Sequence, residues 1–165
     1  MTDFTSSSLD TIIVSLTDEG KALAEKIITL GAQQDVNNKQ YIHHHKPKPF
    51  SDKVVSLFNK GHRLIFICST GIVIRTLAPH LIDKYQDPAI LVLDQEGRHV
   101  IPLLSGHEGG ANDWGFDVAT LLDAQLVSTT AKPYLKPVYT LGMGRERHCP
   151  IDYLQTLLEE CLQQA

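Results

Sequence analysis

Three short, uninterrupted apolar runs constrain the fold of this chain more than any other feature. They are Thr11–Leu16 (TIIVSL), Leu64–Cys68 (LIFIC) and Ala89–Leu93 (AILVL). Runs of this length, rich in β-branched residues and lacking polar alternation, suit strands buried on both faces of a parallel sheet. Parallel neighbours need crossover connections, and helices usually supply them. The segments between the runs have helical character. Thr17 is placed to cap a helix with Asp18 and Glu19 in its first turn, where the helix dipole favours acids. Leu23, Ile27 and Leu30 share one face of that helix, and Gly31 reads as its end. Ser51 reads as the cap of a shorter helix carrying Val54, Val55, Leu57 and Phe58, closed by Gly61. The expected fold is therefore α/β, a layered α/β/α arrangement around a mostly parallel sheet.

Other segments read less plainly. Gln40–Ile42 suits a short strand. His43–Pro49 is polar with two prolines and reads as a surface loop. Its three consecutive histidines flanked by lysines read as solvated rather than metal-binding, because three successive side chains rarely converge on one ion. A helix is expected from Ile72 towards Leu81, with Pro79 late in it. Asp94–Gly97 reads as a hairpin turn into a strand over Arg98–Leu104. A further helix runs to Leu122, and Leu126–Ser128 suits a last short strand. Pro133–Pro137 reads as a linker. Val138–Leu141 and Pro150–Leu162 read as a strand and an amphipathic helix bearing Ile151, Leu154, Leu157 and Leu158. That gives a main domain over 1–131, a linker over 132–137 and a strand–helix appendage over 138–165. One strand and one helix cannot bury a core, so the appendage is expected to pack on this chain or on a second copy.

Composition narrows the function. The 165 residues are 42% hydrophobic and 21% charged, which suits a packed core. Lys and Arg number 15 against 19 Asp and Glu, a net charge of −4, so nucleic acid is not the expected partner. No apolar run approaches the roughly 18 residues of a membrane span, and the first ten residues lack the pattern of a signal peptide. Three cysteines without CxxC spacing argue against a disulfide framework or a cysteine-rich zinc site. A cytoplasmic setting is expected.

Two glycine turns carry the chemistry. Ser69-Thr70-Gly71 follows one buried strand and opens a helix. Ser105-Gly106-His107-Glu108-Gly109-Gly110-Ala111-Asn112 follows another and opens the next. A helix start presents unpaired N–H groups and a positive dipole end to an anion. In open α/β sheets, ligands sit beyond the carboxyl ends of strands. Both turns are therefore expected to face one cleft. His107 lies inside the second turn and is the candidate general base. Thr70, Gly71, Ser105, Gly106, Gly109, Gly110 and Asn112 are candidate ligand contacts, with Arg75, Lys84 and Arg98 as carboxylate anchors. Asp83 and Asp87 read as turn and cap residues, or as partners of Lys84, rather than catalytic carboxylates, and Cys68 as core.

These residues resemble a known family. Gly71-Ile72-Val73-Ile74-Arg75, Ala78-Pro79, Asp83-Lys84, Asp87-Pro88-Ala89, Gly97-Arg98, Leu104-Ser105-Gly106-His107-x-Gly109-Gly110-Ala111-Asn112 and Ser128-Thr129-Thr130-Ala131 match the CbiG family in order and spacing. Leu141-Gly142-Met143-Gly144, Arg147 and Pro150 resemble the opening of that family's C-terminal domain, with Arg145 where the family usually has cysteine. Lys132 stands where the family tends to have aspartate. The resemblance implies a cobalt-precorrin-5A hydrolase of cobalamin biosynthesis, opening the δ-lactone of a cobalt-corrinoid and releasing acetaldehyde. It implies a small-molecule partner rich in carboxylates. Cobalt arrives inside the substrate, so no protein-bound metal or cofactor is expected. The implied mechanism has His107 activate water while the glycine-turn N–H groups, with Arg75 or Lys84, hold the oxyanion. The alternative is a non-catalytic corrinoid or carboxylate module, or a fragment completed by a partner chain.

Overall fold

A computed structural model describes residues 10–34 and 40–129. The linker and appendage expected over 132–165 lie outside the described residues. The elements are β1 (Thr11–Ser15), α1 (Asp18–Gln34), β2 (Tyr41–His45), α2 (Phe50–Asn59), β3 (Arg63–Ile67), α3 (Thr70–Leu77), β4 (Ile90–Leu93), β5 (His99–Leu104), α4 (Ala111–Leu122) and β6 (Gln125–Leu126). The strands form one sheet in the order β2-β1-β3-β4-β5-β6. Every neighbouring pair is parallel except β4 and β5, which form the expected hairpin.

Strand alternation sends side chains to two faces, and helices cover both. Ile13, Ile65, Leu91 and Val100 pack with Leu23, Ala24 and Ile27 of α1 and with Val118 and Leu122 of α4. Ile12, Val14, Phe66 and Val92 pack on the opposite face with Val54, Leu57 and Phe58 of α2 and with Val73 and Leu77 of α3. The layered α/β/α arrangement with a mostly parallel sheet is the one the apolar runs imply.

Five local expectations need correction. The first helix does not stop at Gly31 but runs to Gln34. Gly31 answers to packing instead: a Cβ there would sit 2.6 Å from the Tyr41 hydroxyl, so only glycine lets β2 approach α1 so closely. Ser51 does not cap α2, which starts at Phe50 after Pro49 with no side-chain cap. The helix expected from Ile72 begins at Thr70 and ends at Leu77, and Pro79 falls in a 3₁₀ turn over Ala78–His80. The last strand covers Gln125–Leu126 rather than 126–128. Thr17 does cap α1, its hydroxyl accepting the Gly20 N–H at 3.0 Å.

The fifth correction concerns the histidines. His43–His45 form the outer strand β2 rather than a loop. Side chains at 43 and 45 face the same side as Ile13 and Ser15, their register partners. The buried Ser15 hydroxyl lies 2.8 Å from His43 Nε2 and 3.0 Å from His45 Nδ1. His45 Nε2 lies 3.2 Å from Asp18, which also accepts from Lys46 at 2.7 Å. Burial, followed by the charge of His45, lowers the pKa of His43; burial, followed by the charge of Lys53, lowers that of His44. Both rings thus hold protons less well in the fold than in the unfolded chain. Their contribution to stability is complete above pH about 6.5 and is lost as pH falls through that value towards the folded pKa. The melting temperature should drop between pH 7.5 and 5.5, and His43→Gln should flatten that slope. An identical slope in the variant would remove His43 from the acid response.

Candidate functional site

The antiparallel β4–β5 pair decides where the two glycine turns lie. Leu93 pairs with Val100 and Ile90 with Leu104, so β5 ends where β4 begins. The turn after β3 therefore sits at the carboxyl ends of the parallel strands β1, β3 and β4. The turn after β5 sits at their amino ends. Strands rise about 3.3 Å per residue, which separates the two turns by roughly the length of the sheet, on the order of 10–20 Å. The expectation that both turns line one cleft is overturned. So is the pairing of His107 with Arg75 in one mechanism: a base and an oxyanion donor must both lie within hydrogen-bonding reach of one carbonyl carbon and its water, and His107 and Arg75 lie at opposite edges, whereas Lys84, before β4, lies at the same edge as His107.

Two clefts open at the carboxyl edge. One, of 470 Å³, is lined by Cys68, Ser69, Thr70, Asp94, His99 and Val127 among others. The second, of 320 Å³, shares Cys68, Ser69 and Asp94 and adds Leu16, Thr17, Ile72 and Gln95. The first lies beside the ends of β3 and β4 and the start of β5; the second flanks the ends of β1 and β3, where the chain leaves neighbouring strands for helices on opposite faces. Such a switch point leaves a crevice between the departing helices, the usual ligand position in open α/β sheets.

The start of α3 forms part of this crevice. Ser69 is its N-cap residue and makes no side-chain cap, while its carbonyl accepts the Ile72 N–H at 3.0 Å. Arg75 folds back along the helix, with a guanidinium nitrogen 3.1 Å from where a Gly71 Cβ would be. A cation is thus added to the positive end of a helix, a combination that attracts carboxylate or phosphate. Thr70, Gly71 and Arg75 are brought together as expected. Arg98 lies at the same edge, just after the hairpin turn, and forms an exposed pair with Glu96.

The cleft also holds groups the sequence reading passed over. The Asp94 carboxylate accepts the His99 backbone N–H at 2.6 Å and the Glu96 N–H at 3.3 Å. His99 Nδ1 lies 3.6 Å from the same carboxylate. In sequence the only signal is an aspartate and a histidine flanking one hairpin turn. Cys68 is partly buried and lines both clefts rather than serving only as core. Burial pushes its thiol up to about 11, and the thiol points at the Ser69 carbonyl, 3.7 Å away. It stays protonated near neutral pH and is no nucleophile there.

At the amino edge, the longer turn uses much of its polar capacity on itself. The Ser105 carbonyl accepts the Ala111 N–H at 3.1 Å, and the Gly106 carbonyl accepts the Asn112 N–H at 3.0 Å. Ser105 Oγ donates to the Asp87 carbonyl at 2.6 Å. Gly110 caps α4 in the left-handed region at φ 74°. Asn112 is buried, with its amide atoms 2.9 Å from where a Gly106 Cβ would be. The Ala111 and Asn112 N–H groups are therefore already engaged, contrary to the expected anion cradle. His107 is exposed at this edge. Lys84 is exposed too, its ammonium 4.8 Å over the ring of Tyr85. Asp83 and Asp87 are the turn and cap residues expected: Asp83 accepts from the Tyr85 and Gln86 N–H groups, and Asp87 from Ile82. Among the described residues no group of three or more His, Cys, Asp or Glu is arranged to hold a metal ion. No described helix is long and apolar enough to cross a membrane.

A doubly wound α/β domain with a ligand crevice at its switch point is the class this fold and site define. Comparison with known proteins narrows it. The family described as cobalamin synthesis G, N-terminal, matches residues 52–132. A cobalt-precorrin-5A hydrolase of Salmonella typhimurium is 49% identical over 82 residues, covering 50% of this chain and 23% of that protein. A cobalt-precorrin-5A hydrolase of Priestia megaterium is 38% identical over 138 residues, covering 78% of this chain and 37% of that protein. The crystal structure of a cobalamin biosynthesis protein G homolog from Sulfolobus solfataricus superposes with a TM-score of 0.62 at 22% identity, over 74% of this chain and 38% of that one, and shares its fold. The chain belongs to the CbiG family, through that family's N-terminal region. It spans 23% to 37% of the length of the two hydrolases it matches.

Proposed function

We propose that this chain binds a cobalt-corrinoid lactone of the precorrin-5A type at the carboxyl ends of its parallel strands and takes part in the lactone's hydrolysis. The observation that carries this reading is the uncapped start of α3, whose Ser69, Thr70 and Ile72 line the two adjoining carboxyl-edge clefts and whose Arg75 folds back over Gly71. Such corrinoids carry acetate and propionate groups around the macrocycle. A helix start and a guanidinium suit one of those carboxylates, or the oxyanion that forms as the lactone opens. Thr70, Gly71 and Arg75 are the contacts we assign. Arg98 is a further anchor at the same edge once a substrate carboxylate displaces Glu96. Cobalt enters with the substrate, and no separate cofactor is invoked. Lactone opening is followed by release of acetaldehyde.

A second reading is a corrinoid-binding module whose catalytic groups come from a complementing chain or from a second copy. It is favoured by the separation of His107 and Arg75 to opposite edges of the sheet, which leaves that base and that cation apart. Incubating the purified chain with cobalt-precorrin-5A and assaying acetaldehyde separates the two. Release above the no-protein rate is expected. Tight corrinoid binding without release would establish the module. Neither binding nor release would overturn both readings.

A further inference from the structure

We propose that His99, oriented by Asp94, is the general base of the carboxyl-edge cleft. This inference rests on the lactone-hydrolase reading above. A general base must reach the water that attacks the carbonyl, so it must line the cleft that holds the substrate. Cys68, Asp94 and His99 are the groups with acid–base chemistry in the larger cleft. Cys68 is a protonated thiol turned to a carbonyl. Asp94 accepts two backbone N–H groups from its own hairpin and lies against the His99 ring. His99 remains. Its Nδ1 is the nitrogen 3.6 Å from the Asp94 carboxylate, so Nε2 is the nitrogen turned from that partner.

That arrangement performs a recognised task. A carboxylate beside Nδ1 orients the ring and leaves the Nε2 lone pair to take a proton from water. Asp94 is itself held by the hairpin, so the ring is positioned by the backbone. Thr70, at the uncapped start of α3, lines the same cleft. Base and oxyanion donors therefore share one cavity, which His107 and Arg75 do not.

The step balances without a co-reactant beyond water. Nε2 removes a proton from water as the water oxygen bonds to the acyl carbon. The carbonyl electron pair moves to oxygen, where the α3 start at Ser69 and Thr70 receives the charge. The bond between acyl carbon and ring oxygen then breaks as the carbonyl re-forms. The departing alkoxide takes the proton from His99, giving a hydroxy acid and a neutral imidazole.

The test uses the full chain with cobalt-precorrin-5A and follows both lactone opening and acetaldehyde. His99→Ala should lower kcat about 10²–10⁴-fold with KM and melting temperature kept. Added imidazole should restore part of that rate, because the cleft is open to solvent. Asp94→Asn should lower kcat with KM kept, as expected of a positioning residue. A His99→Ala chain that turns over at the wild-type rate would overturn the dyad and leave the hydrolase reading standing. So would a His107→Ala chain that loses turnover while His99→Ala keeps it. A His99→Ala loss confined to KM and indifferent to imidazole would also overturn it. A wild-type chain that opens no lactone would fail one step earlier, removing the hydrolase reading and the dyad together.

Discussion

Arg75→Ala should bind a corrinoid polycarboxylate about tenfold more weakly than the wild-type chain. A hydrogen bond to a charged group contributes about 1.5–3 kcal/mol, and 1.4 kcal/mol is tenfold in affinity. Arg75 is exposed, so solvent screening holds the effect to the lower end of that range. The guanidinium also lies along Gly71 at the helix start, which couples its charge to the dipole rather than leaving it a lone surface cation. Raising the salt concentration should weaken the wild-type complex more steeply than the variant's. Arg75→Lys should recover part of the affinity but not the geometry of a paired contact. Calorimetric titration at low and high ionic strength reads both effects. Equal affinities for wild type and Arg75→Ala would show Arg75 to be a solvated surface charge.

Gly109→Ala should damage the fold rather than the ligand site. A Cβ at this position would lie 2.6 Å from Ser105 Cβ and 2.9 Å from the Ser105 carbonyl oxygen. Backbone cannot swing aside as a long side chain can. That same carbonyl holds the Ala111 N–H at the start of α4, and the Ser105 hydroxyl ties the turn to Asp87. Relieving the clash must loosen those bonds. Overpacking of this kind costs about 1–3 kcal/mol, which lowers the melting temperature by roughly 4–8 °C per kcal/mol in a domain near 100 residues. Below that melting point, corrinoid affinity should be unchanged, because the turn lies at the far edge of the sheet from Arg75. A stable Gly109→Ala chain that has lost its ligand would place the amino-edge turn in contact with substrate.

Much of this architecture is legible in the chain, for a definite reason. Buried parallel strands must be apolar on both faces, so Ile12–Val14, Leu64–Ile67 and Ile90–Leu93 announce themselves. Thr17 announces α1 because a cap needs a side-chain acceptor at one position. Gly31 misleads because a glycine that ends a helix and one that admits a tyrosine look alike in sequence. His43–His45 mislead for a related reason. An outer strand tolerates polar side chains, and Ser15, the partner that engages two of them, lies 28 and 30 residues away.

The site was legible in its parts and misplaced as a whole. A glycine turn between a strand and a helix signals a helix start, but it carries no information about strand direction. That information lay in the four residues Asp94–Gly97. So tight a turn reverses the chain, makes β5 antiparallel and carries Ser105–Asn112 to the opposite edge. Reading the hairpin and the glycine turns together would have separated them. His99 escaped notice because its partner, Asp94, stands on the other side of that turn.

The central claim is that the ligand sits at the carboxyl edge, against the start of α3, and not at the glycine turn that follows β5. Two-dimensional amide NMR of the labelled chain, titrated with a corrinoid polycarboxylate, tests it residue by residue. Saturable shifts at Thr70, Gly71 and the Asp94–His99 hairpin, with Gly106, Gly109 and Gly110 unmoved, are the predicted result. Shifts centred on Gly106–Gly110 and His107, with Thr70 and Gly71 unmoved, would contradict it.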